Sequence, residues 1–205
     1  MLLVERFPLM LRALQSALES VDGLTVVGTA DSAPKAMELY YRLRPGLVIT
    51  DWTLDEPGDG GRLSRNLKNQ PDPPRVLLYS SSNQLDVLAA CLNGAADSFV
   101  YRKADAKQLL EAITETRRGV PTWYLGGHVR DPTRQIVPGS DAGAVAGQLT
   151  ARESQVLELL LRRYSNAEIA DELYLAHQTV KNYVSTILQK LDVSSRRELL
   201  SSRQR

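Results

Sequence analysis

Two sets of residues in this chain have types and spacings that could do chemistry. The first lies in the N-terminal half, where each member directly follows a short apolar run. Glu5 and Arg6 follow Leu2–Val4, Asp51 follows Leu47–Thr50, Ser80 follows Val76–Tyr79, and Arg102 and Lys103 follow Ser98–Tyr101. If those runs are strands of one parallel sheet, their carboxyl ends bring carboxylates, a hydroxyl and cations to a single edge. Ligands of open α/β sheets gather at that edge. The second set lies on an amphipathic stretch, Thr179–Leu191. There Lys181, Asn182, Ser185 and Gln189 oppose the apolar face of Val180, Val184, Ile187, Leu188 and Leu191. A lysine so placed neutralises phosphate or reaches guanine, and an asparagine can bond an adenine edge through two hydrogen bonds.

Other chemistries find little support. Ser80-Ser81-Ser82 has no histidine base at recognisable spacing, which argues against a hydrolase. His128 and His177 lie far apart without Cys or His neighbours, so no metal site is expected from them. Glu5-Arg6-Phe7-Pro8 offers no glycine for a phosphate loop, which argues against a flavodoxin-type enzyme. No catalytic residue and no resident cofactor is expected.

The elements that must position these residues follow from periodicity. Leu2–Val4, Leu24–Gly28, Leu47–Thr50, Val76–Tyr79 and Ser98–Tyr101 predict five strands, most of them apolar enough for burial on both faces of a parallel sheet. Leu9–Leu18, Ala33–Leu43, Gly61–Asn69, Leu85–Asn93 and Ala106–Arg117 predict the helices between and after them. Strict alternation implies an α/β, flavodoxin-like, doubly wound five-stranded domain over residues 1–118. Residues 119–147 are rich in Pro, Gly and small side chains and predict a linker, with room for one short helix and with Trp123, Tyr124 and Ile136 as anchors. Residues 148–205 predict an all-α, four-helix unit. Thr150 and Glu153 form a capping box, Ser165 opens a second helix, a turn near Ala176-His177 leads into Thr179–Leu191, and Ser194–Leu200 closes the chain. Two helices joined by a short turn, the second amphipathic, describe a helix-turn-helix.

Bulk properties set the class without naming a function. With 205 residues, 43% hydrophobic and 24% charged, the chain can build two modest cores. Its net charge of +1 divides into −1 over residues 1–118 and +2 over 148–205, too weak an asymmetry to indicate DNA. A single cysteine, Cys91, excludes an intrachain disulfide framework. No apolar run approaches the ~20 residues of a membrane helix, and the first residues lack the pattern of a signal peptide. A cytoplasmic protein with no membrane partner is expected.

The residues themselves carry a resemblance. Leu149-Thr150-Ala151-Arg152-Glu153, Ser165-Asn166-Ala167-Glu168-Ile169-Ala170, Thr179-Val180-Lys181-Asn182-Tyr183-Val184 and Ile187 through Val193 with Arg196 resemble, without gaps, the LuxR-type helix-turn-helix. With the N-terminal alternation, the whole chain resembles the NarL/FixJ family of response regulators. The resemblance implies double-stranded DNA as partner and a homodimer, with Val193, Leu199 and Leu200 or the receiver helices as contacts. It places Lys181, Asn182 and Ser185 towards the bases, and Gln178, Thr179 and Tyr183 at phosphates or flanks. Ala176 stands where the family has a capping hydroxyl. In the receiver the resemblance makes Asp51 the phosphoacceptor position and Ser80 the hydroxyl that meets the phosphoryl oxygen.

The same comparison exposes departures. Glu5-Arg6 stands in place of two aspartates that hold Mg²⁺, and Arg102 falls at the position of the family lysine, with Lys103 beside it. Phe99 occupies the place of an aromatic switch, although a phenylalanine on a buried strand is an ordinary core residue. Phosphoryl transfer needs the metal to neutralise charge, so the expectation is a DNA-binding transcription regulator acting independently of Asp51 phosphorylation. Arg6 is expected to pair with Asp51, and a small-molecule or protein effector to act at the same strand ends. Two other readings fit the same residues. One is a conventional phosphorylation-activated regulator, its metal site rebuilt by Asp55, Glu56 or Asp59. The other is an interaction protein that does not bind DNA.

Overall fold

A computed structural model describes residues 1–82, 84–92, 96–125 and 149–201. Most of the segment expected as a linker, including His128 and Ile136, lies outside the described residues.

The first unit is a parallel sheet. β1 (Leu2–Val4), β2 (Gly28–Ala30), β3 (Leu47–Asp51), β4 (Arg75–Ser80), β5 (Ser98–Tyr101) and β6 (Trp123–Tyr124) lie in the order β2-β1-β3-β4-β5-β6. α1 (Pro8–Glu19), α2 (Ala33–Leu43), α3 (Asp59–Lys68), α4 (Leu85–Ala90) and α5 (Ala106–Arg117) follow the first five strands in turn. Side chains alternate along each strand. Leu2, Val4, Val48 and Val76 pack with α2 and α3 through Leu39, Tyr40, Leu63 and Leu67. Leu3, Ile49, Leu77 and Val100 pack with α1 and α5 through Leu18, Ala112 and Ile113. The sheet is therefore covered on both faces.

Three departures from the expected elements have local causes. β2 begins at Gly28 rather than Leu24, because three-residue β1 starts its ladder by pairing Leu2 with Gly28. Upstream of it, Val27 donates to the Met1 carbonyl at 2.8 Å. α3 starts at Asp59 rather than Gly61. Its first turn runs against the end of β3, so close that a Cβ on Gly60 would stand 1.8 Å from the Asp51 carbonyl oxygen. The sheet also has six strands, not five: β6, within the segment expected as linker, pairs Phe99 with Trp123 and Val100 with Tyr124.

The second unit holds α6 (Ala151–Leu161), α7 (Asn166–Leu173), α8 (His177–Lys190) and α9 (Arg196–Ser201). Capping boxes at Thr150/Glu153 and Ser165/Glu168 start α6 and α7. Ala176 caps α8 without a side-chain hydrogen bond. Val156, Leu157, Leu160, Ile169, Val180, Ile187 and Leu199 form the buried centre of the unit.

Candidate functional site

The sheet delivers Glu5, Asp51, Ser80 and Arg102 to one edge, as the strand ends require. Asp51 and Ser80 are the last residues of β3 and β4, and Glu5 and Arg102 directly follow β1 and β5. The acids and the serine are buried, with Glu5 1%, Asp51 3% and Ser80 2% exposed. β5 is held beside β4 at this point by the Arg102 N–H, which donates to the Ser80 carbonyl at 2.8 Å. That register aims the Arg102 side chain across the edge. Its Nη2 donates to Asp51 Oδ2 at 2.6 Å and reaches Glu5 Oε2 at 3.4 Å. The guanidinium also lies 5.2 Å from the centroid of the Tyr79 ring.

Arg102, not Arg6, is thus the partner of Asp51. Arg6 is exposed and turns outward, where its Nη1 donates to the Leu54 carbonyl at 2.8 Å and its guanidinium sits 4.9 Å from the Phe7 ring centroid. Lys103 is exposed and lies 5.8 Å from the Tyr101 ring centroid, away from the cluster. The Ser80 hydroxyl accepts from the Ser82 N–H at 3.0 Å.

Glu5 is fully engaged. Its Oε1 accepts from the Phe7 N–H at 2.9 Å, and its Oε2 accepts from the Tyr79 hydroxyl as well as facing Arg102. Burial raises the Asp51 pKa; Arg102 opposes that rise and Glu5 adds to it. Burial and Glu5 also push the Tyr79 phenol well up, which keeps it a hydrogen-bond donor. Reading Val76–Tyr79 as an apolar strand missed Tyr79; the available signal was a hydroxyl-bearing aromatic directly before Ser80, since a buried tyrosine needs a partner for its O–H.

The loop acids do not complete a cation site. Asp59 accepts from the Glu56 N–H at 2.6 Å and pairs with Arg62, and these hydrogen bonds hold its carboxyl below the usual range. Glu56 lies 3.5 Å from the same arginine. Mg²⁺ prefers near-ideal octahedral oxygen coordination. Here one acid position is an outward arginine, Glu5 already serves three donors, and Asp51 holds a guanidinium. The residues present do not fit that ion.

On α8, Lys181, Asn182, Ser185 and Gln189 are exposed, whereas Val180, Val184 and Ile187 are buried. Gln178 is exposed and donates through Nε2 to Asn182 Oδ1 at 3.1 Å. Thr179 and Tyr183 are half-buried at the flanks. Leu199, offered above as a dimer contact, is 1% exposed and packs inside the helical unit instead. Among the described residues no helix is long and apolar enough to cross a membrane.

Comparison with known proteins agrees with both halves. The response regulator receiver domain family matches residues 1–114, and the luxR family of bacterial regulatory proteins matches residues 147–202. The response regulator protein VraR of Staphylococcus aureus (strain NCTC 8325 / PS 47) is 28% identical over 183 residues, spanning 89% of this chain and 85% of that protein. Among solved structures, the RcsB response regulator of Salmonella typhimurium superposes with a TM-score of 0.55 at 22% identity, covering 98% of this chain and 95% of that one. A structure of two RcsB dimers bound to two parallel DNAs gives 0.56 at 20% identity, with coverage of 98% and 95%. A LuxR-family two-component response regulator from Aurantimonas sp. SI85-9A1 gives 0.55 at 25% identity over 58% of this chain and 84% of that one. The chain belongs to the response regulators, with a receiver domain followed by a regulatory domain of the luxR family.

Proposed function

We propose that this protein is a sequence-specific, dimeric DNA-binding transcription regulator whose DNA binding does not depend on phosphorylation of Asp51. The observation that carries this reading is the ion pair of Arg102 with Asp51 at 2.6 Å, in a pocket where Glu5 is already taken by Tyr79 and the Phe7 N–H. Asp51 is thereby neutralised by a resident cation. A receiver in this condition does not await a metal and a phosphodonor. The receiver unit in this reading extends through β6, past residue 118, with the helical unit beginning at 148. A small-molecule or protein effector at these strand ends would act through unequal affinity for the paired and parted states of Arg102 and Asp51.

DNA binding is supported by the open outer face of α8, on which Lys181, Asn182 and Ser185 stand together. It is supported also by the RcsB dimers on DNA, whose fold this chain shares. In this reading Lys181, Asn182 and Ser185 face the bases, and Gln178, Thr179 and Tyr183 make phosphate or flanking contacts. The experiment is an electrophoretic mobility shift at graded salt on duplexes selected from a random pool. Lys181→Ala should weaken binding by about 1–3 kcal/mol if the lysine meets a base, and should lower the salt slope if it meets phosphate. Selected duplexes bound with unchanged affinity and slope would remove Lys181 from the interface, and failure of the unmodified chain to select any duplex would favour a pure interaction protein.

A further inference from the structure

The two units are not held only by the chain between them. β6, last in the sheet order, lies beside α6 of the helical unit. The Leu125 N–H, just beyond the strand, donates to Glu158 Oε1 at 2.5 Å in a buried setting. At the C-terminal cap of α6, the Arg162 guanidinium lies 5.7 Å from the Tyr124 ring centroid. Burial, and a hydrogen bond that the Tyr124 hydroxyl donates to Glu111 of α5, push its pKa up to about 12. Beneath them, Trp123 stacks on Phe99 with centroids 6.1 Å apart and planes 21° from parallel. The buried apolar cluster runs without interruption from Leu88, Phe99 and Trp123 of the receiver to Val156, Leu157 and Leu161 of the helical unit.

We propose that Glu158 of α6 and Arg162, the residue that caps its C-terminus, form a latch that clamps the helical unit on the β6 edge of the receiver with the outer face of α8 left open. A buried carboxylate needs hydrogen-bond donors that stay in place, and the strand-edge amide supplies one that only the docked arrangement provides. The side chains assigned to DNA, Lys181, Asn182 and Ser185, remain exposed while the clamp is shut. The device differs from a receiver that masks its DNA-binding helix. It also ties the interface to the pocket, because β5 carries Phe99 under the contact and leads directly into Arg102.

The test uses the full chain, without DNA or phosphodonor, so its outcome is separate from that of the function proposed above. Trp52 follows β3 and Trp123 lies in β6 against the helical unit, so fluorescence follows the receiver and its docked edge while far-UV circular dichroism follows all helices. The unmodified chain should unfold with coincident transitions in both signals, and its Leu125 amide should exchange hydrogen as slowly as those of β5. Glu158→Ala should separate the transitions and raise the radius of gyration. Leu125→Pro, which deletes the donor from the receiver side, should do the same, and Glu158→Gln, which keeps an acceptor, should stay near the unmodified chain. Separate transitions or fast Leu125 exchange in the unmodified chain would overturn the latch, as would coincident transitions and an unchanged radius in both Glu158→Ala and Leu125→Pro.

Discussion

Glu5 shows how one substitution pattern reorganises a receiver pocket. A buried carboxylate that faces Tyr79, the Phe7 N–H and Arg102 is held by charge-assisted hydrogen bonds. Tyr79→Phe removes one of them and should cost about 2 kcal/mol, read as a shift of the urea midpoint without change in slope. Asp51 behaves differently. Burial, with Glu5 adding to it, lifts its pKa against the pull of Arg102. A raised folded-state value means that its contribution to stability is present at low pH and is lost as the pH rises through that value. Asp51→Asn carries no such loss. The stability of the variant relative to the unmodified chain should therefore increase from about pH 4 to about pH 7, a sign that paired denaturation curves at the two pH values can check. The positions of Asp51, Ser80 and Arg102 were legible in sequence, because each follows an apolar run and parallel strands share an edge. The partner of Asp51 was not. Which of Arg6 and Arg102 reaches it depends on side-chain direction after β1 and on the β4–β5 register, neither of which spacing encodes.

At the scale of elements, amphipathic helices were read best. Ala33–Leu43 and Ala106–Arg117 have the expected limits, since their apolar stripes are sustained over three turns. Strand limits were set by partners rather than by composition: Leu24 and Val26 are apolar yet pack beside the sheet, because β1 is too short to pair with them. β6 escaped notice because two residues display no period, and its neighbours Gly119 and Pro121 read as a break. The missing cap of α8 was plain in sequence and persists in the structure. Ala176→Ser should supply a side-chain acceptor to the amides of the first turn and stabilise the protein by about 1 kcal/mol. Thermal denaturation checks this, and an unchanged or lowered midpoint would show that the amides of this turn already have partners.

At the scale of the molecule, the paired pocket, the shared core and the open face of α8 support the proposal of a regulator whose DNA binding needs no phosphoryl group. The acids that would hold the metal are replaced or engaged, the phosphoacceptor position is paired, and the helix assigned to DNA faces outward. The fold positions these parts on elements shared with other response regulators. The most direct measurement combines two readings on one preparation: intact mass after incubation with acetyl phosphate and Mg²⁺, and affinity of Asp51→Asn for a selected duplex. Unmodified mass, together with Asp51→Asn binding as tightly as the unmodified chain, is the predicted result. A stoichiometric phosphoryl adduct, accompanied by loss of DNA binding in Asp51→Asn, would contradict it.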